Sequence, residues 1–254
     1  MRLPLIIALL IIVGFFSSCS AKKDIIYFNK STQTEIETPQ WESAKIKPND
    51  VVSLKITSDN PEFALGYNIT SGVQNNVQGI QLLLQGYLVA EDGTVNIPGL
   101  GKQTIAGLTL VEVENKIQET LKTGGLLNNP VVICRVLNAR YTVLGEVKSP
   151  GDFTFYENNL TLLQAIGRAG DLTINGIRKK VRIIRTENGK QIHKEIDLTK
   201  DDWLSSPFYY VKSNDVIIVD PNYAKVKSSG VISNPGTLLS TVSIIISTII
   251  LLRR

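Results

Sequence analysis

Few side chains in this sequence are of the kinds that catalyse reactions, and none of them is spaced to act with another. His193 is the only histidine, and its neighbours Ile192 and Lys194 predict a strand on which it faces solvent. Glu91 and Asp92 are adjacent acids, but the glycine that follows them favours a hairpin tip over a pair of catalytic acids. We therefore predict that the chain is not an enzyme and has no metal ligands.

The remaining candidates for ligand chemistry are also weak. Gly99 and Gly101 lack the downstream glycine and the preceding βαβ unit of a dinucleotide site, so we interpret them as a turn and expect no cofactor. Trp203, Tyr209 and Tyr210 could stack on sugar rings. Packing into the core or against a neighbouring subunit is the favoured interpretation for these aromatic residues.

The two cysteines lie in very different settings. Residues 1–18 have a positive start, an apolar run and two small residues before Cys19, a pattern typical of a secretion signal. It resembles a bacterial lipoprotein signal, in which the cysteine is lipidated and becomes the mature N-terminus, although Phe16 stands where leucine is commoner. The alternative is an ordinary signal peptide with an incidental cysteine. Cys134 lies in the apolar run VVICRV, which predicts a buried strand residue and no disulfide.

The C-terminal stretch from Asn234 to Arg254 carries no charge until Arg253. Asn234 and Pro235 are typical of an N-cap and a first helical position. A helix over 235–252 would be about 27 Å long, against a hydrocarbon core of about 30 Å. The stretch therefore predicts a C-terminal amphipathic transmembrane helix.

Hydroxyl side chains gather on one half of this helix at about 100° per residue, and aliphatic side chains fill the other half. Such a face suits a ring of helices around a pore better than a lone anchor. A single-pass anchor with chance serines and threonines is the alternative. The residues predicted to face the pore are Thr237, Ser240, Thr241, Ser243, Ser247 and Thr248.

Between these ends, turns and periodicity predict two α+β units. The first contains a strand at 51–56, a long loop at 57–85, a hairpin of 87–90 with 95–98 around Asp92–Gly93, and a helix with a capping box at Thr109–Glu112. A strand at 130–137 closes it.

The second unit is predicted from the same signals, namely turns and apolar periodicity. A strand at 141–147 leads into a type II turn at 149–152, with Pro150 and Gly151 at its centre. A second capping box starts a helix at Thr161, and a hairpin turns at Asn188–Gly189. The 27 Lys plus Arg and 23 Asp plus Glu are spread thinly, so no nucleic-acid partner is expected.

Several motifs in order now resemble a known family. The segments IKPNDVVSLKI, YLVAEDGTVNIPGLG, AGLTLVEVENKI and NPVVICRV resemble the polysaccharide biosynthesis/export domain. The segment YTVLGEVKSPGDFTFYENNLTLLQAIGRAGDLT, closed by VKSNDVIIVDP, is similar to the soluble-ligand-binding β-grasp domain. Together they cover most of residues 46–221. The family is that of the Wza-type outer-membrane polysaccharide export lipoproteins.

The resemblance implies an α+β fold with an export domain, one β-grasp domain and a C-terminal helix. The expected boundaries are a signal peptide at 1–18, a leader at 19–45, the export domain at 46–138, the β-grasp domain at 139–222, and a linker with the helix at 223–254. Asp50 and Asp215 resemble the PGD turns of the family. The residues assigned to structural turns are Asp50, Asp92, Gly93, Pro150, Gly151 and Asp215.

The resemblance also implies a function and partners. Members form closed rings, octameric in the best-known example, that export capsular polysaccharide or exopolysaccharide through the outer membrane. An inner-membrane co-polymerase, often with a tyrosine kinase, docks on the periplasmic side. The single β-grasp unit departs from the larger members, which have two, so the ring size is not carried over. The alternative function is a periplasmic glycan- or ligand-binding lipoprotein anchored to the outer membrane.

Overall fold

The computed structural model describes residues 24–29, 35–69, 86–187 and 189–228, together with eight positions of the C-terminal tail. Those eight positions are helical and exposed, and they are Gly236, Ser240, Ser243, Ile244, Ser247, Thr248, Leu251 and Leu252. Over the described residues, no helix combines the length and the apolar character needed to span a bilayer. Cys19, Thr237 and Thr241, as well as Asn188 of the predicted hairpin, lie outside the described residues.

The first domain is built on a three-stranded antiparallel sheet. In chain order its elements are β1 (Val51–Thr57), α1 (Pro61–Ala64), β2 (Tyr87–Leu88), β3 (Thr94–Ile97), β4 (Gly101–Thr104), α2 (Leu110–Thr123) and β5 (Val131–Val136). Strand β1 lies between β2 and β5, while β3 and β4 form a separate two-stranded sheet. Helix α2 buries Val113, Ile117 and Leu121 in the core with alternate residues of β1 and β5.

The predicted hairpin between residues 87–90 and 95–98 is wrong. The 90–94 turn itself forms, because Gly93 (φ 79°) donates to the Ala90 carbonyl at 2.9 Å and Asp92 accepts from the Thr94 amide at 3.0 Å. However, β2 pairs with β1, and the Val89 amide donates to the Asp50 carbonyl at 2.8 Å. The only backbone bond from this segment to β3 among those described is from the Ala90 amide to the Thr94 carbonyl, at 2.8 Å, which closes the turn. Beyond that bond, β3 pairs along its length with β4.

The second domain is a five-stranded mixed sheet with a helix. Its elements are β6 (Arg140–Gly145), β7 (Gly151–Thr154), α3 (Leu162–Arg168), β8 (Gly176–Glu187), β9 (Lys190–Ile196), β10 (Val216–Pro221) and α4 (Tyr223–Ser228). The strand order is β7-β6-β10-β8-β9, and β6 and β10 are parallel. Helix α3 shares one core with this sheet: Tyr141 of β6 donates to the Ala165 carbonyl of α3 at 3.1 Å. The α+β class is thus confirmed for the described residues.

Both predicted capping boxes are present. The Thr109 hydroxyl accepts from the Glu112 amide at 3.3 Å, and the Glu112 carboxylate accepts from the Thr109 amide at 2.7 Å. Thr161 and Gln164 make the equivalent pair of bonds at the start of α3. Each box satisfies amides that would otherwise be unpaired in the first turn, which explains why the helices start where the sequence predicts.

The type II turn predicted around Pro150 and Gly151 is wrong. Gly151 has a φ of 159°, which is extended, and it is the first residue of β7, paired with Val143. Other bonds set the path before it: the Lys148 amide donates to the Asp171 carbonyl at 3.1 Å, and the Ser149 amide donates to the Ala169 carbonyl at 2.9 Å. The segment leaving α3 therefore shapes this connection, and Pro150 enters β7 without a tight turn.

The two aspartate turns have the same geometry. The Asp50 amide donates to the Lys47 carbonyl at 3.1 Å, and the Asp50 carboxylate accepts from the Lys47 amide at 2.8 Å. Asp215 makes the same two bonds with Lys212, at 3.1 and 2.9 Å. In each turn the asparagine before the aspartate is left-handed, with a φ of 70° or 69°, a conformation that asparagine tolerates better than most residues.

Asp215 differs from Asp50 in having a buried ionic partner. Its carboxylate accepts from Arg185 Nη2 at 2.7 Å and from Arg185 Nε at 2.9 Å, and the two side chains are 1% and 3% exposed. The guanidinium also donates to the carbonyls of Pro207 and Tyr210, at 2.9 and 2.7 Å. Burial raises the pKa of the Asp215 carboxyl, and the hydrogen bonds and charge of Arg185 oppose that rise.

This difference predicts that replacing each aspartate by alanine lowers the free energy of unfolding by different amounts. Asp215→Ala leaves the Arg185 charge buried without its partner, so we expect it to lower the free energy of unfolding by about 3–5 kcal/mol. Asp50→Ala removes the matching turn bond without stranding a charge, and we expect a loss of about 1 kcal/mol. Amide hydrogen exchange in β10 for the first variant and in β1 for the second measures both losses. Equal losses would contradict a special role for the buried pair.

Candidate functional site

The residues singled out from the sequence do not form a catalytic site. His193 is exposed on the edge strand β9, opposite Ile184. In the part of the chain that the structure describes, no group of three or more His, Cys, Asp or Glu residues is arranged to hold a metal ion. Trp203 is buried and donates from Nε1 to the Lys200 carbonyl at 3.0 Å. The packing interpretation is therefore confirmed for Trp203.

Cys134 is a buried residue of β5, as predicted. Its amide donates to the Glu114 carboxylate of α2 at 2.8 Å, which ties the helix to the sheet. Burial raises the pKa of the Cys134 thiol to about 12, and the nearby Glu114 charge adds to the effect. A thiol that stays protonated and enclosed is a poor nucleophile, so its role is packing.

Residues 24–29, here called the N-terminal clasp, pack on the second domain. They belong to the predicted leader at 19–45, of which the structure describes residues 24–29 and 35–45. Phe28 stacks on Trp203 with ring centroids 6.2 Å apart, and its amide donates to the Leu198 carbonyl at 3.2 Å. Lys179 of β8 makes a 2.5 Å ion pair with Asp24. A ring contact with the core, a backbone hydrogen bond and a surface ion pair thus hold the clasp in place.

Tyr27 anchors the centre of the clasp. Its hydroxyl donates to the Asp171 carboxylate, and Arg178 lies over its ring at 5.7 Å from the centroid. Burial raises the pKa of the Tyr27 hydroxyl, and the bond to Asp171 and the Asp171 charge add to the effect. The hydroxyl therefore stays protonated near neutral pH and remains a donor to Asp171.

The C-terminal tail leaves the second domain beside the clasp. The Asn222 amide, just after β10, donates to the Asn175 carbonyl at 2.7 Å. Arg178 fixes the same segment by donating to the carbonyls of Leu172, Thr173 and Gly176, at 3.2, 2.8 and 3.0 Å. Because residues 171–178 hold both the clasp and the start of the tail, the two ends of the described chain leave from one region of the second domain.

A polar groove of about 490 Å³ lies where the two domains meet. Trp41 comes from the extended segment between the clasp and the first domain, Arg135 comes from β5, and residues 156–159 follow β7. The lining residues are Trp41, Arg135, Tyr156, Glu157, Asn158 and Asn159. A second cleft of about 360 Å³ shares Glu157 and Asn159 and extends along α3. We call the first of these the junction groove.

Neither the clasp nor the junction groove is predicted by the sequence. Their residues are far apart in the chain: Tyr27 and Asp171 are 144 positions apart. The one local signal was Tyr156-Glu157-Asn158-Asn159, an aromatic residue followed by three polar ones between predicted elements. Such a run is typical of an exposed loop, and exposed loops carry binding residues more often than core segments do.

Comparison with known sequences agrees with this architecture. The profile of the polysaccharide biosynthesis/export protein family matches residues 38–137, and the profile of the SLBB domain matches residues 140–194. The chain thus carries a polysaccharide biosynthesis/export domain followed by an SLBB domain. The resemblance found in the sequence is thereby confirmed, with its two domains in the same order. Polysaccharide export is transport and not catalysis, which supports the prediction that the protein is not an enzyme.

Two curated relatives are similar to this protein. Each is named EPS I polysaccharide export outer membrane protein EpsA, one from Ralstonia solanacearum and one from Ralstonia nicotianae (strain ATCC BAA-1114 / GMI1000). The first is 28% identical over 204 residues and the second is 28% identical over 203 residues. Each alignment covers 77% of this chain and 52% of the relative, so the chain spans about half the length of these relatives.

The contacts of the clasp lead to a prediction about local opening. We expect Phe28→Ala to speed amide exchange in residues 24–29 by about tenfold, because an aromatic pair contributes about 0.5–1.5 kcal/mol beyond the burial of its rings. Tyr27→Ala should act similarly through the loss of the bond to Asp171. Hydrogen exchange read by mass spectrometry measures the effect.

Ile26→Ala is the matched control, because Ile26 lies in the same segment and is 40% exposed. It should leave exchange in the clasp nearly unchanged. Equal exchange in the Phe28→Ala variant and the unaltered protein would show that the stacking on Trp203 does not hold the segment.

Proposed function

We propose that the protein is an outer-membrane channel subunit that lets capsular polysaccharide or exopolysaccharide leave the cell. The observation that carries the proposal is the 204-residue alignment with a protein named as a polysaccharide export outer membrane protein. The export and SLBB domain matches support it, because they cover residues 38–137 and 140–194 in the order that the family implies. The chain acts as a conduit and not as a catalyst.

In this proposal the subunit is attached to the outer membrane at two points. A lipid on Cys19 lies five residues before Asp24 of the clasp, a reach of at most about 18 Å for an extended chain. The tail starts from the neighbouring 171–178 segment, since Asn222 is bonded to Asn175. This common origin supports entry of the lipid and the tail from the same face of the membrane, with both domains on the periplasmic side.

The proposed pore is formed by the tails of several copies, each spanning the membrane from about Pro235 to Leu252. Ser240, Ser243, Ser247 and Thr248 are helical and exposed, and the three serines recur at intervals of three and four residues, as one face of a helix requires. Neutral hydroxyls exchange weak hydrogen bonds with a passing sugar chain. Weak contacts let the polymer leave as easily as it enters.

The proposed assembly is a closed homo-oligomeric ring whose subunit number is left open. A ring brings hydroxyl faces together around water and aliphatic faces against lipid. We further propose that an inner-membrane polysaccharide co-polymerase with its tyrosine kinase docks on the periplasmic domains and delivers the polymer. The competing function, a glycan-binding lipoprotein with a simple membrane anchor, needs neither the ring nor the hydroxyl face.

Substitutions in the tail separate these two functions. We expect the triple change Ser240→Leu, Ser243→Leu and Ser247→Leu to reduce polymer export at least about tenfold, because it replaces the wet lining by an apolar one. Secreted polysaccharide per cell measures export, and immunoblotting of outer-membrane fractions confirms that the variant is present.

The control is the triple change Val242→Leu, Ile245→Leu and Ile249→Leu on the aliphatic half, which should leave export unchanged. Normal export by the serine variant would favour the binding-lipoprotein function.

The oligomeric state provides an independent test. Full-length protein extracted in mild detergent should appear in electron micrographs as rings with a central opening, and their rotational symmetry gives the number of subunits. Particles that remain monomeric at all protein concentrations would overturn the channel proposal.

A further inference from the structure

We propose that the junction groove binds an acidic saccharide, with the sugar ring against Trp41 or Tyr156 and the sugar carboxylate on the Arg135 guanidinium. The inference deepens the proposed function, on which it rests for the source of the saccharide. It identifies the chemical class of polymer that the periplasmic domains recognise. The binding itself can be measured without any export assay.

The aromatic residues of the groove supply the first argument. Trp41 is 36% exposed and Tyr156 is 54% exposed, whereas Trp203 in the core is 4% exposed. Large rings that line a groove without being buried provide flat apolar surfaces with a polar edge. The C–H faces of a pyranose ring are also flat and apolar, and its hydroxyls lie around the rim. Ring and sugar are therefore complementary in shape and polarity.

The charges of the groove favour an acidic ligand. Glu157 accepts from Arg168 Nη2 at 2.6 Å, and this hydrogen bond lowers the pKa of the Glu157 carboxyl. The Glu157 charge is therefore largely offset by its partner. Among the described residues, no carboxylate lies within ion-pair distance of the Arg135 guanidinium. The charges of the lining residues Arg135 and Glu157 balance, and with Arg168 beside Glu157 the region carries one net positive charge.

Arg135 has the geometry that a sugar carboxylate requires. Its planar guanidinium presents paired donors that match the two oxygens of a carboxylate, a bond stronger than one between neutral groups. Arg135 lies on β5 opposite Ser53 of β1, in the middle of a regular ladder. A side chain carried by a strand is more rigidly placed than one on a loop, so it can fix the register of a bound saccharide.

Two asparagine side chains of the groove suit the hydroxyl groups of a saccharide. Asn158 and Asn159 line it, and neither side chain bonds to another described residue. Each amide offers donors and an acceptor, the combination needed to bind neighbouring sugar hydroxyls. The volume of about 490 Å³ falls within the range of about 300–1,000 Å³ typical of ligand sites. These polar, uncommitted groups favour a saccharide over a second protein copy, whose contact surface would be depleted of charge at its centre.

Calorimetric titration of the full-length detergent-extracted protein tests the proposal. The acidic probe is trigalacturonate, and maltotriose is its neutral counterpart. We expect trigalacturonate to bind more tightly at 20 mM than at 200 mM NaCl, since salt screens the contact with Arg135. Arg135→Gln should weaken trigalacturonate binding at least about tenfold and remove most of its salt dependence, because a hydrogen bond to a charged group is lost.

Matched controls distinguish binding at the groove from a general effect of removing a charge or an aromatic ring. Lys194→Gln removes one positive charge from the exposed strand β9 and should leave trigalacturonate affinity unchanged. Trp41→Ala should weaken the binding of trigalacturonate, and of maltotriose if the unaltered protein binds it. Tyr223→Ala should leave both affinities unchanged, although it truncates an aromatic ring that is 79% exposed on α4. Arg135→Lys keeps the charge without the paired donors and should restore part of the affinity.

Three results would overturn the proposal. They are an absence of trigalacturonate binding to the unaltered protein, equal binding by the Arg135→Gln and Lys194→Gln variants, and a change of oligomeric state in groove variants without any saccharide binding. The last result would identify the groove as a contact between copies. None of them bears on the tail, whose hydroxyl face is tested by export, so the channel proposal stands or falls separately.

Discussion

The buried ion pair of Arg185 and Asp215 fixes the central strands of the second domain, on which the other elements of that domain pack. It joins the start of β10 to β8, and through two carbonyls it also holds the loop that contains Pro207 and Tyr210. Strand β10 lies at the centre of the five-stranded sheet, and α4 follows it on the way to the tail. Because removing one partner would strand a charge in the core, this position tolerates little variation. The last strand before the tail is therefore held at its start by a buried ion pair.

Features determined by neighbouring residues were predictable from the sequence. The two capping boxes, the core stripe of α2 and the aspartate turns each depend on side chains within a few positions, and the structure contains all of them. Pattern and spacing carry the necessary information in such cases, because the bonding partners are local. The family resemblance rests on the same short motifs, which explains why it could be recognised from one sequence.

Features that depend on distant partners were mispredicted or missed. Asp92 and Gly93 do form a turn, but the strand before it pairs with β1, a choice that local residues do not determine. Gly151 is extended because the segment after α3 holds the residues before it. Tyr27 and Phe28 fall in the segment predicted as a leader, and they bind a domain that begins more than a hundred residues later. The junction groove combines residues from three separate stretches for the same reason.

The N-terminal clasp also determines how the molecule carries tension. A pull on the chain before residue 24 would reach Tyr27 and Phe28 first, and their contacts would pass it to the second domain before residue 35. The first domain, which lies between the clasp and β6 in the chain, is outside this line of force. A load on the N-terminal side would therefore fall on the second domain, and the first domain would carry little of it.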